Sequence, residues 1–177
     1  MSHHKEASVF KLLMTGHEGV GKTALGERLG RDSFPLEYIP TIGIDFFVKT
    51  MRAEGAFRKF QLWDIAGNSS LYNIHSTYYR GVKAPLIVYD ISDRESFEAI
   101  DHWRERAEGH IEDPIFRVLV GAKKDICQRG VTREEAEKYA RNHGMMYIET
   151  SAKEDSNVTE LFYVTLTQLT LQSERFQ

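Results

Sequence analysis

Short apolar runs alternate with helical apolar patterns along nearly the whole chain. Val9–Met14 is a strand-length run that stops at a glycine-rich turn. Phe46–Arg52 and Phe57–Asp64 flank Ala53-Glu54-Gly55-Ala56, which predicts a β-hairpin with glycine in the turn. Pro85–Asp90 and Ile115–Val120 are almost continuously apolar, as expected of strands covered on both faces, and Met145–Glu149 is a weaker sixth candidate. Phe97, Ile100, Trp103 and Ala107 recur at helical spacing behind Asp93, predicting one amphipathic helix between two strands. Thr132-Arg133-Glu134-Glu135 has the spacing of a capping box, and Gly144 sits where that helix should stop. Asn157 opens a last helix with the apolar stripe Val158, Leu161, Phe162, Leu166 and Leu169.

This alternation predicts an α/β fold. It should hold a six-stranded, mainly parallel sheet with one antiparallel edge strand and helices on both faces. Residues 9–171 are expected to form one domain, between a disordered polar tail (1–8) and a short C-terminal tail (172–177). In such sheets ligands sit beyond the carboxyl ends of the strands, so the chemistry is sought there.

Composition narrows the picture. A domain of this length buries roughly 70% of its unfolded-chain surface and needs no disulfide or metal staple. The single cysteine, Cys127, forbids an intrachain disulfide and reads as a free loop thiol in a reducing compartment. A net charge of −3 on a mixed surface gives no case for nucleic acid as main partner. No apolar run approaches the ~18 residues of a membrane span. Met1–Ser8 lacks the apolar stretch of a signal peptide, and His3 and His4 read as solvated side chains of a polar tail. The expectation is a cytoplasmic monomer.

The chemistry begins at Gly16-His17-Glu18-Gly19-Val20-Gly21-Lys22-Thr23, which fits G-x-x-x-x-G-K-[ST] between an expected strand and an expected helix. Glycines let the backbone wrap a phosphate, and successive N–H groups at a helix N-terminus aim positive charge at it. Lys22 is expected on the β- and γ-phosphates, and the Thr23 hydroxyl on Mg²⁺. A chance glycine turn before an ordinary helix is the bland alternative. By itself the motif says nucleoside-triphosphate binding and no more.

Further segments choose the nucleotide. Trp63-Asp64-Ile65-Ala66-Gly67 ends a strand on an aspartate placed for a water-mediated Mg²⁺ contact, with the Gly67 N–H in reach of a γ-phosphate. Pro40-Thr41-Ile42-Gly43 offers a second threonine for Mg²⁺ when the γ-phosphate is present. Gly121-Ala122-Lys123-Lys124-Asp125 resembles the N-K-x-D guanine-reading motif, and Glu149-Thr150-Ser151-Ala152-Lys153 resembles the S-A-K loop. In this order and spacing the set is similar to the Ras superfamily over nearly the whole chain. Ile42-Gly43-Ile44-Asp45-Phe46, Tyr78-Tyr79-Arg80-Gly81 and Val88-Tyr89-Asp90-Ile91-Ser92 resemble stretches of its Rab branch.

The resemblance implies a small G-protein fold that binds GTP or GDP with Mg²⁺. Residues 18–24, from Glu18 to Ala24, would line the phosphates. Phe34 would pack against the base and Tyr38 would cover the phosphates, while Thr23, Thr41 and Asp64 serve the metal. Asp125 would accept from the N1–H and N2–H₂ edge of guanine, a pairing adenine cannot make. Lys123 would lie along the ring, the Ala152 N–H would meet O6, and Ser151 and Lys153 would complete the loop. Ile42–Phe46, Trp63 and Tyr78 would face effector proteins, although an aromatic trio is also plausible core. Exchange factors and GTPase-activating proteins are the other partners implied.

Four departures from that pattern carry expectations of their own. Asn68 stands where the family's glutamine orients the attacking water; one methylene shorter, its amide falls roughly 1.5 Å short. Slow hydrolysis is therefore expected, with catalytic roles for Asn68, Lys22 and Gly67. Glu18 replaces a small residue; at about 5 Å from a γ-phosphate its charge would cost about 3 kcal/mol at an effective dielectric of ~20, unless it swings into solvent. Ala122 replaces the asparagine of N-K-x-D, which should weaken nucleotide binding by about 1–3 kcal/mol. Ser69, Ser70, Leu71 and Tyr72 replace a charged run, which bears on partner choice.

Membrane association of the Rab kind would need a lipidated tail beyond Gln177, since no C-terminal cysteine is present. The leading expectation is a guanine-nucleotide switch in membrane traffic or related signalling, cytoplasmic or peripheral on a cytosolic membrane face. The competing one is a pseudo-GTPase scaffold that is locked with GTP or holds nucleotide weakly.

Overall fold

The structure, a computed structural model, describes residues 9–67, 76–111 and 116–175. Asn68, the 69–72 segment, the N-terminal tail and the start of the fifth expected strand at Ile115 lie outside them.

The chain runs β1 (Val9–Thr15), α1 (Lys22–Arg31), β2 (Ile44–Ala53), β3 (Ala56–Ile65), β4 (Val82–Asp90), α2 (Arg94–Glu98), α3 (Ile100–Glu108), β5 (Val118–Ala122), α4 (Arg133–Asn142), β6 (Met146–Glu149) and α5 (Val158–Arg175). A short 3₁₀ turn, Ser76–Tyr78, precedes β4. The six strands lie in the order β2-β3-β1-β4-β5-β6. Only β2 and β3 pair antiparallel, through a register that closes at Ala53 opposite Ala56. The expected sheet is therefore the observed one, hairpin included.

Strand alternation sorts side chains to two faces. Phe10, Leu12 and Met14 of β1 point to the face covered by α1 and α5, where Leu25, Leu29, Phe162, Leu166 and Leu169 are buried. On the other face Ile87, Tyr89 and Leu119 meet Phe97, Ile100, Trp103 and Ala136 from α2, α3 and α4. A smaller cluster around Leu13, Ile65 and Tyr79 continues that face. The whole predicted stripe of α5 is buried.

Two local expectations are corrected. The single helix behind Asp93 is two short ones that meet at Ala99, whose φ −79° and ψ −3° lie at the edge of the helical region. That step still buries Phe97, Ile100, Trp103 and Ala107. At α4 only half of the capping box forms: the Thr132 hydroxyl accepts from the Glu135 N–H at 3.2 Å. The Glu135 carboxylate instead takes Arg94 Nη1 at 2.7 Å, because α2 packs close enough to offer a cation. Gly144 does end α4, at φ +62°.

Strand β1 has β3 on one side and β4 on the other, so the connections diverge at its carboxyl end. This opens a crevice in which the β1–α1 loop sits.

Candidate nucleotide site

The β1–α1 loop is built for close backbone approach. A Cβ on Gly16 would stand 2.1 Å from the Val88 carbonyl oxygen, and Gly19 and Gly21 hold φ +77° and +106°. None of the N–H groups of residues 17–21 meets another backbone carbonyl among the described residues. A row of unpaired donors at the start of α1 is the chemistry of an anion cradle. Gly67 closes the cradle from the side: a Cβ there would lie 2.5 Å from both the Gly16 oxygen and the Glu18 nitrogen.

Lys22 is almost fully buried, its Nζ donating to Gly16 O at 3.0 Å and His17 O at 2.8 Å. Two of its three donors are thus engaged, leaving one for a phosphate oxygen. Burial pulls its pKa down to about 8, opposed by the Asp64 and Glu18 charges. An anion in the cradle would push that pKa back up.

The Thr23 hydroxyl donates to Asp64 Oδ2 at 2.5 Å and lies 2.5 Å from the Thr41 hydroxyl. These three oxygens come from α1, β3 and the loop before β2. Asp64 is wholly buried, which raises its pKa to about 6 against the Thr23 bond and Lys22, with Asp45 raising it further. Among the described residues its Oδ1 has no hydrogen-bond partner. An orphaned carboxylate oxygen beside two hydroxyls is an all-oxygen donor set that suits Mg²⁺, held directly or through water.

Tyr38 reaches back over the loop, its hydroxyl donating to Glu18 Oε1 at 3.3 Å. Burial and the Glu18 carboxylate both push the Tyr38 pKa up. Of the switch-like loop, then, Tyr38 and Thr41 meet the phosphate cradle, while Phe34 stands exposed ahead of them.

The end of the crevice where the base is expected is assembled from three segments. Ser151 Oγ donates to Asp125 Oδ1 at 2.7 Å, and among the described residues no hydrogen bond to Oδ2 is found. The two loops are laced by Lys124 N–H to Thr150 O and Thr150 N–H to Gly121 O. Ala122 is buried, and its methyl faces Gly21, where an added Cβ would be 3.8 Å away. No polar group of residue 122's side chain spans that gap. Lys123, at φ +62°, does span it, donating to Gly19 O at 2.7 Å. From α1, Arg28 Nε donates to Ala152 O at 2.8 Å.

Two site-supporting residues were not expected from sequence. Arg28 gave no signal beyond its place one helical face away from Lys22. Asp90, whose Oδ2 lies 2.7 Å from Lys123 Nζ, did carry one: an acid at the carboxyl end of a buried strand, two residues before a serine. Nothing in the pattern names its partner.

Phe46, Trp63 and Tyr78 form a continuous row, with ring centroids 4.9 Å and 5.8 Å apart. Phe46 is 42% exposed, whereas Trp63 and Tyr78 are half-buried and Trp63 packs on the Leu13–Ile65 cluster, so the row meets the surface at one end and the core at the other. Lys11 Nζ sits 4.5 Å from the Trp63 ring, a cation–π contact. No helix among the described residues is long and apolar enough to cross a membrane.

A sequence profile of the Ras family matches residues 11–171. The chain is 45% identical over 155 residues to Ras-related protein Rab-13 of Canis lupus familiaris, covering 87% of this chain and 76% of that protein. It is 42% identical over 155 residues to GTP-binding protein YPTM1 of Zea mays, covering 87% and 74%. To Ras-related protein Rab-8B of Homo sapiens it is 41% identical over 156 residues, covering 88% and 75%.

Proposed function

This chain belongs to the Ras family as a Rab-like small GTPase, an enzyme that hydrolyses GTP, and from that footing we propose a slow guanine-nucleotide switch acting in membrane traffic. The observation that carries the switch reading is the convergence of Thr23, Thr41 and Asp64 within hydrogen-bond reach at the mouth of the cradle. Thr23 belongs to the rigid start of α1, whereas Thr41 belongs to the exposed loop before β2. A group that needs both threonines therefore fixes that loop, and its loss releases it.

Lys22 supplies charge to the phosphates, and the 17–21 N–H row orients them. Bound Mg²⁺ would supply charge neutralisation of the phosphate oxygens, with Thr23, Thr41 and Asp64 as its protein ligands. Asp125 and the Ala152 N–H select guanine. Asn68 positions the attacking water with a shortened amide, which sets a slow rate. Misplacement on the 1 Å scale costs about a hundredfold. The Ile42–Phe46 segment, exposed at Ile42 and Phe46, with the half-buried Trp63 and Tyr78 beside it, offers the surface an effector reads; exchange factors and activating proteins are the other kinds of partner.

Chromatography of nucleotide released from freshly purified, denatured protein tests the switch. Near-stoichiometric GDP supports it. Bound GTP, or no nucleotide, moves the reading to a scaffold whose hydrolysis or affinity has failed. Single-turnover hydrolysis by Asn68→Gln tests the slow step: a rate equal to that of the native chain removes Asn68 as its cause.

A further inference from the structure

Asp90 is a nearly buried carboxylate that none of the steps above uses. It ends β4, the strand beside β1. Its two oxygens are divided. Oδ1 accepts from the Ser92 N–H at 2.8 Å and the Ser92 hydroxyl at 2.7 Å, an Asx-type turn that fixes the carboxylate plane. Oδ2 is left for Lys123 Nζ at 2.7 Å. Lys123 in turn donates to Gly19 O at 2.7 Å. Ser92, Asp90, Lys123 and Gly19 thus form one chain of bonds from β4, through the base loop, to the phosphate loop.

The Lys123 backbone is bent to serve that chain. A lysine at φ +62° is in the left-handed region, which side chains other than glycine's rarely adopt. The Ile126 N–H to Lys123 O bond at 2.9 Å helps hold the turn. The neighbouring side chain that faces Gly21, Ala122, is only a methyl.

We propose that Asp90 is a positioning residue of the nucleotide site: its carboxylate holds the Lys123 ammonium on the Gly19 carbonyl and so couples the base loop to the phosphate loop. This rests on the reading of Lys123 as a base-contacting residue. Asp90 touches no nucleotide atom; it acts through Lys123.

The test is release of N-methylanthraniloyl-GDP, followed by fluorescence, from the native chain, Asp90→Asn, Lys123→Ala and the double variant. Asp90→Asn keeps an oxygen for both Ser92 bonds and removes the charge that faces Lys123. Loss of a hydrogen bond between charged groups should speed its release about tenfold. The double variant should release no faster than Lys123→Ala alone, since a residue acting only through Lys123 has nothing left to position. Ser92→Ala, which loosens Asp90 without touching its charge, should speed release about threefold, and it serves where Asp90→Asn folds poorly.

If Lys123→Ala speeds release but Asp90→Asn and Ser92→Ala do not, the positioning role is overturned and the site reading stands. Multiplicative effects in the double variant overturn it equally. If Lys123→Ala itself releases at the native rate, the reading of Lys123 falls, and the role of Asp90 falls with it.

Discussion

At the phosphate end of the site the binding groups are mostly backbone, and they come from one unbroken segment between β1 and α1. Glycines at 16, 19 and 21 shape it, and Lys22 ties it internally through the Gly16 and His17 carbonyls. At the base end the groups are side chains from segments far apart in the chain, and their alignment depends on cross-links. Those cross-links are Arg28 to Ala152 O, Ser151 to Asp125, and Asp90 through Lys123 to Gly19 O. The comparison teaches where this chain can vary. A cradle of N–H groups tolerates Glu18 at its rim, because backbone donors survive any side chain that leaves φ and ψ alone. The base end has a methyl at 122 and relies on its remaining ties.

The comparison breaks most visibly if the phosphate end is not dominant. Lys22→Met should lower GDP affinity by at least roughly 3 kcal/mol, about a hundredfold or more, in calorimetric titration with Mg²⁺ present. A loss under fivefold would mean the cradle is not where affinity resides. Next, Ala122→Asn adds an amide opposite Gly21. It should slow GDP release by about 2 kcal/mol, some thirtyfold, in a fluorescence chase. Release at the native rate would show that the base end is not limited by that missing amide.

Alkaline pH should loosen the base-side scaffold. The Tyr89 and Tyr147 hydroxyls bond each other at 2.8 Å behind Gly121, and burial pushes the Tyr89 pKa up to about 12. Burial likewise raises that of Tyr147. A folded pKa above the unfolded value of about 10 gives stability that is present below pH 10 and lost as pH rises toward 12. For Tyr89 this is at most about 3 kcal/mol, read as a falling Tm that Tyr89→Phe flattens. A Tm that is level from pH 9 to 12 would contradict it. The smallest expected effect is at Arg28→Ala, which frees the Ala152 carbonyl; GDP release should quicken about fivefold, roughly 1 kcal/mol. An unchanged rate would mark that bond as packing only.

Much of this was legible in the sequence because it is local. The β2–β3 hairpin was marked by Gly55, which adopts φ +74°, between two alternating runs. The phosphate loop was marked by glycines at fixed offsets before Lys22. Both are short-range backbone requirements, so residue identity at a given position reports them directly. The helix break at Ala99 carried no such mark: alanine is compatible with either conformation, and the packing of Phe97 and Ile100 under the sheet decided it. Likewise Glu135 had the right spacing for a reciprocal cap, and its bond to Arg94 of another helix prevailed.

The sequence by itself determined the strand and helix order, the glycine-shaped turn before α1 and the membership in a family that hydrolyses GTP. Tertiary structure alone decided that Phe46, Trp63 and Tyr78 form a partly exposed row and that, among the described residues, Asp64 keeps an orphan oxygen beside two hydroxyls. It also decided that a single lysine joins the base loop to the phosphate loop with Asp90 behind it. The physical reason is range. Backbone conformation is fixed by neighbours in the chain, whereas a side-chain hydrogen bond needs a partner that only the parallel sheet order brings within 3 Å.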